Sequence, residues 1–214
     1  MRPATPCDPP CDSDAFAALV RMRRDIRHFR PDPLDEADVD ALLALAHGAP
    51  SVGLSQPWRY VRILSAGVRA ALAAHVDDAA ARAGGCYEGE RRRLYDSLKL
   101  HGLREAPVVF AAYCDEDTQT GAGLGAATMA EARRYSCVMA IHTLWLAAHM
   151  RGIGLGWVSI LDPDHVDRLL EVPSGWRCLG LLCLGRPAVH DDRPELEQRG
   201  WERRTDWRDH VSVR

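Results

Sequence analysis

Two apolar runs constrain this chain most: Val108 to Tyr113, opened by Pro107, and Cys178 to Leu184, closed by Gly185. Runs this short and this uniformly apolar read as strands covered on both faces. Between them lies the longest helical pattern, about Met129 to Arg151, capped by Gly152. Its length and its apolar positions, Val138, Ile141, Leu144, Trp145 and Ala148, suggest a central core helix. Two further strands are expected at Trp58 to Leu64 and Gly154 to Ile160.

The remaining periodic segments are helical. Ser13 can cap a helix whose apolar face is Phe16, Leu19 and Val20. Asp35 can cap another, with Glu36 and Asp38 in its first turn, Val39, Leu42, Leu43 and Ala46 buried, and Gly48 and Pro50 ending it. A helix is expected from Ala66 to Ala83, and Asp162-Pro163 opens one more, with Pro at its first position. Helices thus predominate around four strands that lie far apart in sequence, an α+β layered architecture. At 214 residues and 47% hydrophobic content, the chain can bury one substantial core.

The expected organisation is a proline- and aspartate-rich tail over 1–13, one domain over 14–208 and a short tail over 209–214. Within the domain, 84–101 is charged, starts with Gly84-Gly85 and reads as a helical lid. Residues 186–208 are polar and studded with Trp201 and Trp207, and read as an arm wrapping a partner.

A formal charge of −3 gives no general attraction to nucleic acid or anionic membrane, so any anion site must be a local arginine cluster. The N-terminal stretch lacks an apolar signal-peptide core. The apolar stretch Val138 to Met150 is interrupted by His142, Thr143 and His149 and is too short to span a bilayer. A soluble, cytoplasmic protein is expected. Cys86, Cys114, Cys137, Cys178 and Cys183 sit in apolar or helical patterns and read as small buried hydrophobes. Cys7 and Cys11 have no second ligand pair nearby, so no metal is expected. The aspartates at 77, 78, 191 and 192 read as solvated.

Three clusters carry chemistry. Arg23-Arg24-Asp25-Ile26-Arg27 places three guanidiniums within five residues, suited to a phosphate or a flavin carbonyl; alone it is better described as a solvated basic turn with Asp25 as internal counter-ion. Ala49 to Trp58 offers Ser51, Ser55 and Gln56 between two prolines, with Gly53 permitting close approach. Gly152 to Ser159 holds a G-x-G-x-G run that follows a helix and enters a strand, the wrong order for a dinucleotide fingerprint. Its glycines read as letting backbone N–H groups approach a flat ligand, with Ser159 as a side-chain donor. His142 and His149, seven apart on the long helix, read as partly buried rather than metal-ligating.

The succession "RRDIRHF", "APSVGLSQPWRYV", "LKLHGLREAPV", "RYSCVMAIHTLWLAAHMRGIGLGWVSILDP" and "LCLGRP" resembles the flavin-dependent nitroreductases over roughly residues 15 to 208. Within them it looks like the branch that destroys reduced FMN to make 5,6-dimethylbenzimidazole, the lower ligand of cobalamin. Asp25 stands where ordinary nitroreductases usually carry Ser. Leu54-Ser55 precede Gln56 where they carry Asn, and W-V-S-I-L covers Trp157 to Leu161. The resemblance implies a nitroreductase-like fold, a central antiparallel or mixed sheet flanked by helices, in a domain-swapped homodimer with FMN at the interface. It further implies O2-dependent cleavage of FMNH2, as substrate, to 5,6-dimethylbenzimidazole and erythrose 4-phosphate, with a separate flavin reductase supplying FMNH2. By matching position, Arg23, Arg24, Ile26 and Arg27 would hold FMN and Ser51 and Gln56 would line it. Leu103 and Arg104 would approach the ring, and Asp25 and Ser159 would serve the chemistry. Among its arginines Asp25 should stay ionised near neutral pH. The alternatives are an NAD(P)H-dependent FMN nitroreductase or quinone reductase, and a flavin-binding protein without turnover.

Overall fold

The computed structural model describes residues 12–189 and 191–214; the tail bearing Cys7 and Cys11 lies outside them. Its elements run α1 (Ser13–Met22), α2 (Glu36–His47), β1 (Trp58–Arg62), α3 (Ala66–Gly84), α4 (Gly89–Asp96) and β2 (Val108–Asp115). Then follow α5 (Ala132–Met150), β3 (Gly154–Val158), α6 (Pro163–Leu170), β4 (Trp176–Gly185) and the short α7 (Glu195–Gln198). The strands form one antiparallel sheet in the order β1-β2-β4-β3.

The two continuous apolar runs are the inner strands β2 and β4, which is why neither shows alternation. Side chains alternate across the pleat. Val109, Ala111, Tyr113, Leu181 and Cys183 pack on one face with Leu72, Val76 and Val166 of α3 and α6. Val108, Phe110, Ala112, Leu182 and Leu184 pack on the other with Leu42, Ile141 and Leu144 of α2 and α5. A bulge between Ala112 and Tyr113 lies opposite Gly180, whose φ of +131° brings it against the Trp157 indole; there Trp157 donates to Leu179 O at 2.8 Å.

Several local expectations shift. Asp12 rather than Ser13 caps α1, accepting from Asp14 N at 2.8 Å. Asp35 precedes α2 without a side-chain cap bond, whereas Asp162 does cap α6. Strands β1 and β3 stop at Arg62 and Val158, so Ser159 lies beyond the sheet. The long helix starts later than expected, at Ala132, and only one of its faces is core. Ile141, Leu144 and Ala148 are buried, but Val138, with Tyr135 and Met139, is exposed. Phe16 and Val20 of α1 are exposed as well. Cys86 is exposed, unlike the buried Cys114, Cys137 and Cys183. Asp77 is not simply solvated: it pairs with Arg104 at 2.6 Å and His101 at 2.7 Å. His142 faces solvent rather than being partly buried. Apart from these shifts, the start of the 186–208 segment is tied to the arginine segment, with Arg30 N donating to Arg186 O and Ala188 N to His28 O, both at 2.9 Å.

Close backbone contact at β3 gives a stability prediction. A Cβ on Gly156 would run into the carbonyl oxygen of Ile26, and backbone cannot move aside cheaply. Gly156→Ala should cost about 1–3 kcal/mol or more, lowering the thermal midpoint by roughly 3–10 °C. Gly67→Ala, on α3 with only Ser65 Oγ at 3.8 Å, should instead raise stability by up to about 1 kcal/mol. Thermal denaturation of the two variants checks the contrast.

Candidate active site

After α1 the chain becomes extended and lies along the free edge of β3. Asp25 forms a parallel bridge with Leu155, and Ile26 N donates to Leu155 O at 3.0 Å. Gly154 and Gly156 make this possible: a Cβ on Gly154 would stand 2.7 Å from Ile26 Cγ1, and one on Gly156 would strike the Ile26 carbonyl. Two glycines of the G-x-G-x-G run, Gly154 and Gly156, therefore admit the chain's own arginine segment, while a Cβ on Gly152 would meet nothing within 4 Å. Trp145 of α5 holds the segment from the other side, donating from Nε1 to Arg24 O at 3.0 Å, with the Arg23 guanidinium 4.6 Å from its ring.

This docking half-buries Asp25, leaving 28% of its side chain exposed. Its Oδ1 accepts from Trp157 N at 3.0 Å, and its Oδ2 pairs with Arg27 at 2.6 Å. Burial pushes the Asp25 carboxyl up; Arg27, the Trp157 N–H and Arg23 pull it back down without cancelling the shift. The surrounding arginines thus do not hold Asp25 below the ordinary carboxylate range. Arg23 is pushed down by its own burial, partly offset by Asp25. Arg24 gives Nη1 to Arg21 O at 2.6 Å and Arg23 O at 2.7 Å, and Nη2 to Asp192 O; its Nε is buried without a partner among the described residues.

The arm closes over this segment. Glu195 of α7 lies 3.5 Å from Arg27 and 3.6 Å from His28. Asp25, Arg27, His28, Glu195 and Arg199 line a cleft of about 250 Å³. Sequence reading passes over His28, Trp145 and Glu195 as site residues. Only the tertiary fold brings Glu195 to Arg27 across 168 positions, with no local spacing to announce it.

The other candidates divide. Ser159 follows Val158 at the end of the strand that carries Asp25's backbone partner; it is exposed, about 7 Å along the strand from Trp157. Ser51 and Gln56 precede β1, at the opposite edge of the sheet from the arginines, which lie outside β3, four strand spacings or about 19 Å away. There Ser51 Oγ accepts from Gln56 N at 3.1 Å, and Val52 N donates to Ser136 Oγ at 3.0 Å. Gly53, at φ +56°, fits against the 121–124 turn, and the Ser55 hydroxyl is buried without a partner among the described residues. Leu103 is a fully buried core residue, and Arg104 pairs with Asp77 of α3 instead of joining the other arginines. Gly102 nonetheless packs against Phe29 and Arg27 O, behind the arginine segment.

A flavin mononucleotide fits this donor set at its phosphate end. Arg27 faces the cleft, and the unpartnered Arg24 Nε marks spare donor capacity. The cleft is smaller than the roughly 300–1,000 Å³ usual for such ligands. Among the described residues there is no group of three or more metal-ligating side chains, and no helix is long and apolar enough to cross a membrane.

Comparison with known proteins gives the family and the fold. The nitroreductase family model matches residues 20–186. A 5,6-dimethylbenzimidazole synthase of Rhodospirillum rubrum is 52% identical over 210 residues, 96% of each chain. One from Rhodobacter capsulatus is 46% identical over 196 residues, covering 91% of this chain and 95% of its own. Among solved structures, an iodotyrosine deiodinase bound to FMN and 3-iodo-L-tyrosine superposes with a TM-score of 0.71 at 20% identity, covering 93% of this chain and 97% of its own.

Burial of Asp25 predicts a pH-dependent stability difference. A carboxyl raised on folding favours the folded state most when protonated, and that contribution is lost as pH rises through its folded-state value. Asp25→Asn keeps an acceptor for Trp157 N and carries no such loss. Its thermal midpoint should equal or exceed the parent's near neutrality, and any advantage should shrink as pH falls toward about 4. Parallel melts across that range check this.

Proposed function

The chain belongs to the nitroreductase family, and we propose that it fragments reduced FMN with O2 into 5,6-dimethylbenzimidazole and erythrose 4-phosphate, supplying the lower ligand of cobalamin. The observation that carries the reading is near-full-length identity of 46–52% to two proteins named for that synthesis. The half-buried, arginine-paired Asp25 supports it.

Reduced FMN, the substrate, supplies an oxygen-reactive isoalloxazine and the carbon skeleton of the product. The chain's own residues do the rest. Arg23, Arg24 and Arg27 hold the phosphate and the ribityl or ring oxygens, with Ile26 fixing their backbone on β3. An anion drawn to Arg27 weakens the ion pair that most favours ionised Asp25. Asp25 then becomes a better proton acceptor at Oδ2, while Oδ1 stays on Trp157 N. Ser159, exposed at the end of β3, orients the reacting oxygens through its hydroxyl. The turn that carries Leu103 and Arg104 backs the arginine segment through Gly102, which packs against Phe29 and Arg27 O, and the 84–101 lid excludes water.

Ser51 and Gln56 come from a second copy, in a domain-swapped homodimer. Their place at the far edge of the sheet supports this reading, as do the exposed Phe16 and Val20 of α1 and Tyr135, Val138 and Met139 of α5. The protein acts in the cytoplasm, where a separate reductase supplies FMNH2.

FMN reduced anaerobically with the protein and then exposed to air should yield 5,6-dimethylbenzimidazole by mass spectrometry. Asp25→Asn and Ser159→Ala should each lower the yield rate by about 10²-fold or more. Parent-rate turnover by both variants would remove them from the chemistry. Steady NAD(P)H oxidation by the isolated protein would make it a reductase instead, and reduced FMN surviving intact in air would make it a binding protein.

A further inference from the structure

The arm residue Trp201 has no part in the chemistry described so far, yet it is the most heavily engaged side chain of the arm. Its ring lies 5.2 Å from Tyr87 and 6.0 Å from Tyr95, and the Arg91 guanidinium sits 3.8 Å over it. Arg91 also donates to Trp201 O at 2.7 Å. Tyr95 and Arg91 belong to α4, the helix of the lid, and Tyr95 in turn donates to Ala80 O of α3 at 3.0 Å.

Six residues earlier, the same arm carries Glu195 against Arg27 and His28. The chain between them is stiff. Helix α7 ends in a left-handed Gly200, at φ +75°, with Gly200 N donating to Glu197 O at 3.1 Å and Trp201 N to Leu196 O at 2.8 Å. Those two bonds close the helix end and fix the direction in which Trp201 leaves it. Glu195, Gln198 and Arg199, at i, i+3 and i+4, share the face that lines the cleft.

We infer that Glu195 to Trp201 is a clasp tying lid helix α4 to Arg27, with Glu195 and Trp201 as positioning residues. This rests on the reading of Arg27 as an anion contact. A phosphate at Arg27 competes with the Glu195 carboxylate and repels it, so one end of the clasp lets go. Because α7 and Trp201 move as a unit, the restraint on α4 is released with it, and α4 is then free to settle over a bound ring and exclude water there. The lid thus responds to the phosphate of the ligand rather than to its ring.

Hydrogen exchange of the α4 amides tests the coupling on the full-length protein, with inorganic phosphate, FMN and riboflavin as separate probes. In the parent, saturating inorganic phosphate should speed α4 exchange about two- to five-fold, the range set by releasing a partly exposed ion pair. FMN should alter α4 exchange where riboflavin leaves it unchanged. Glu195→Gln should show the faster exchange from the start and no response to phosphate. Trp201→Ala should do the same, while Trp201→Phe, which keeps an aromatic face for Tyr87 and Tyr95, should recover part of the slow exchange and of the response. A Glu195→Gln protein that still responds to phosphate, or a parent whose α4 ignores saturating FMN, overturns the clasp. FMN affinity separates the two readings: Arg27→Ala binding FMN as tightly as the parent defeats the anion contact itself, whereas Arg27-dependent binding with an unresponsive α4 defeats only the clasp.

Discussion

The organisation of the site depends on one backbone contact: Ile26 in hydrogen-bonded register with β3, allowed by the missing side chains of Gly154 and Gly156. A strand edge offers unpaired N–H and C=O groups, and here the segment leaving α1 takes them. That single docking carries the arginines to the sheet edge, turns Asp25 into the protein and seats Ile26 against β3. Trp145, from the helix covering the sheet, fixes the Arg24 carbonyl so the segment cannot peel away on its outer side.

The electrostatic character of the site follows from where that docking puts the charges. Arginines in a free segment would hold a neighbouring carboxyl down. Here burial of Asp25 outweighs them and the net direction is upward. The balance hangs on Arg27, which is shared between Asp25 and Glu195. A guanidinium with two carboxylate partners can exchange one of them for an incoming anion without being stripped of all its hydrogen bonds. The arm that contributes Glu195 is therefore part of the site's charge balance as well as its cover.

The sheet order keeps the candidate residues in two separate groups. Two candidate groups, Arg23–Arg27 and Ser51 with Gln56, sit on opposite edges of a four-stranded sheet, with β2 and β4 between them. The polar loop before β1 satisfies some of its own groups and packs on the 121–124 turn, yet leaves the Ser55 hydroxyl buried without a partner among the described residues. Large apolar side chains on α1 and α5 face outward. These features have a common reading in the proposed homodimer.

The sequence by itself determined the elements and the inner strands. Hydrophobic periodicity is a local signal, so the uninterrupted runs of β2 and β4, the helices around Leu42 and Ile141, and the start of α6 at Asp162-Pro163 were legible from it. The order RRDIRHF, the proline-flanked loop and W-V-S-I-L also marked the family and the residues to inspect. Other features depended on contacts between distant positions. Two of the glycines that looked like space for a ligand are space for Ile26. Val138 fits an apolar helical pattern but lies on the face of α5 that the sheet does not cover, and Arg104 finds Asp77 on α3. Glu195, unremarkable in a polar tail, and Trp201, marked only as an aromatic of the arm, meet Arg27 and the lid helix only because the arm folds back. Periodicity tells which residues share a face; what covers that face, and whether a half-buried carboxyl is held down by its arginines or pushed up by its burial, is decided only when the folded chain sets distances and excludes water.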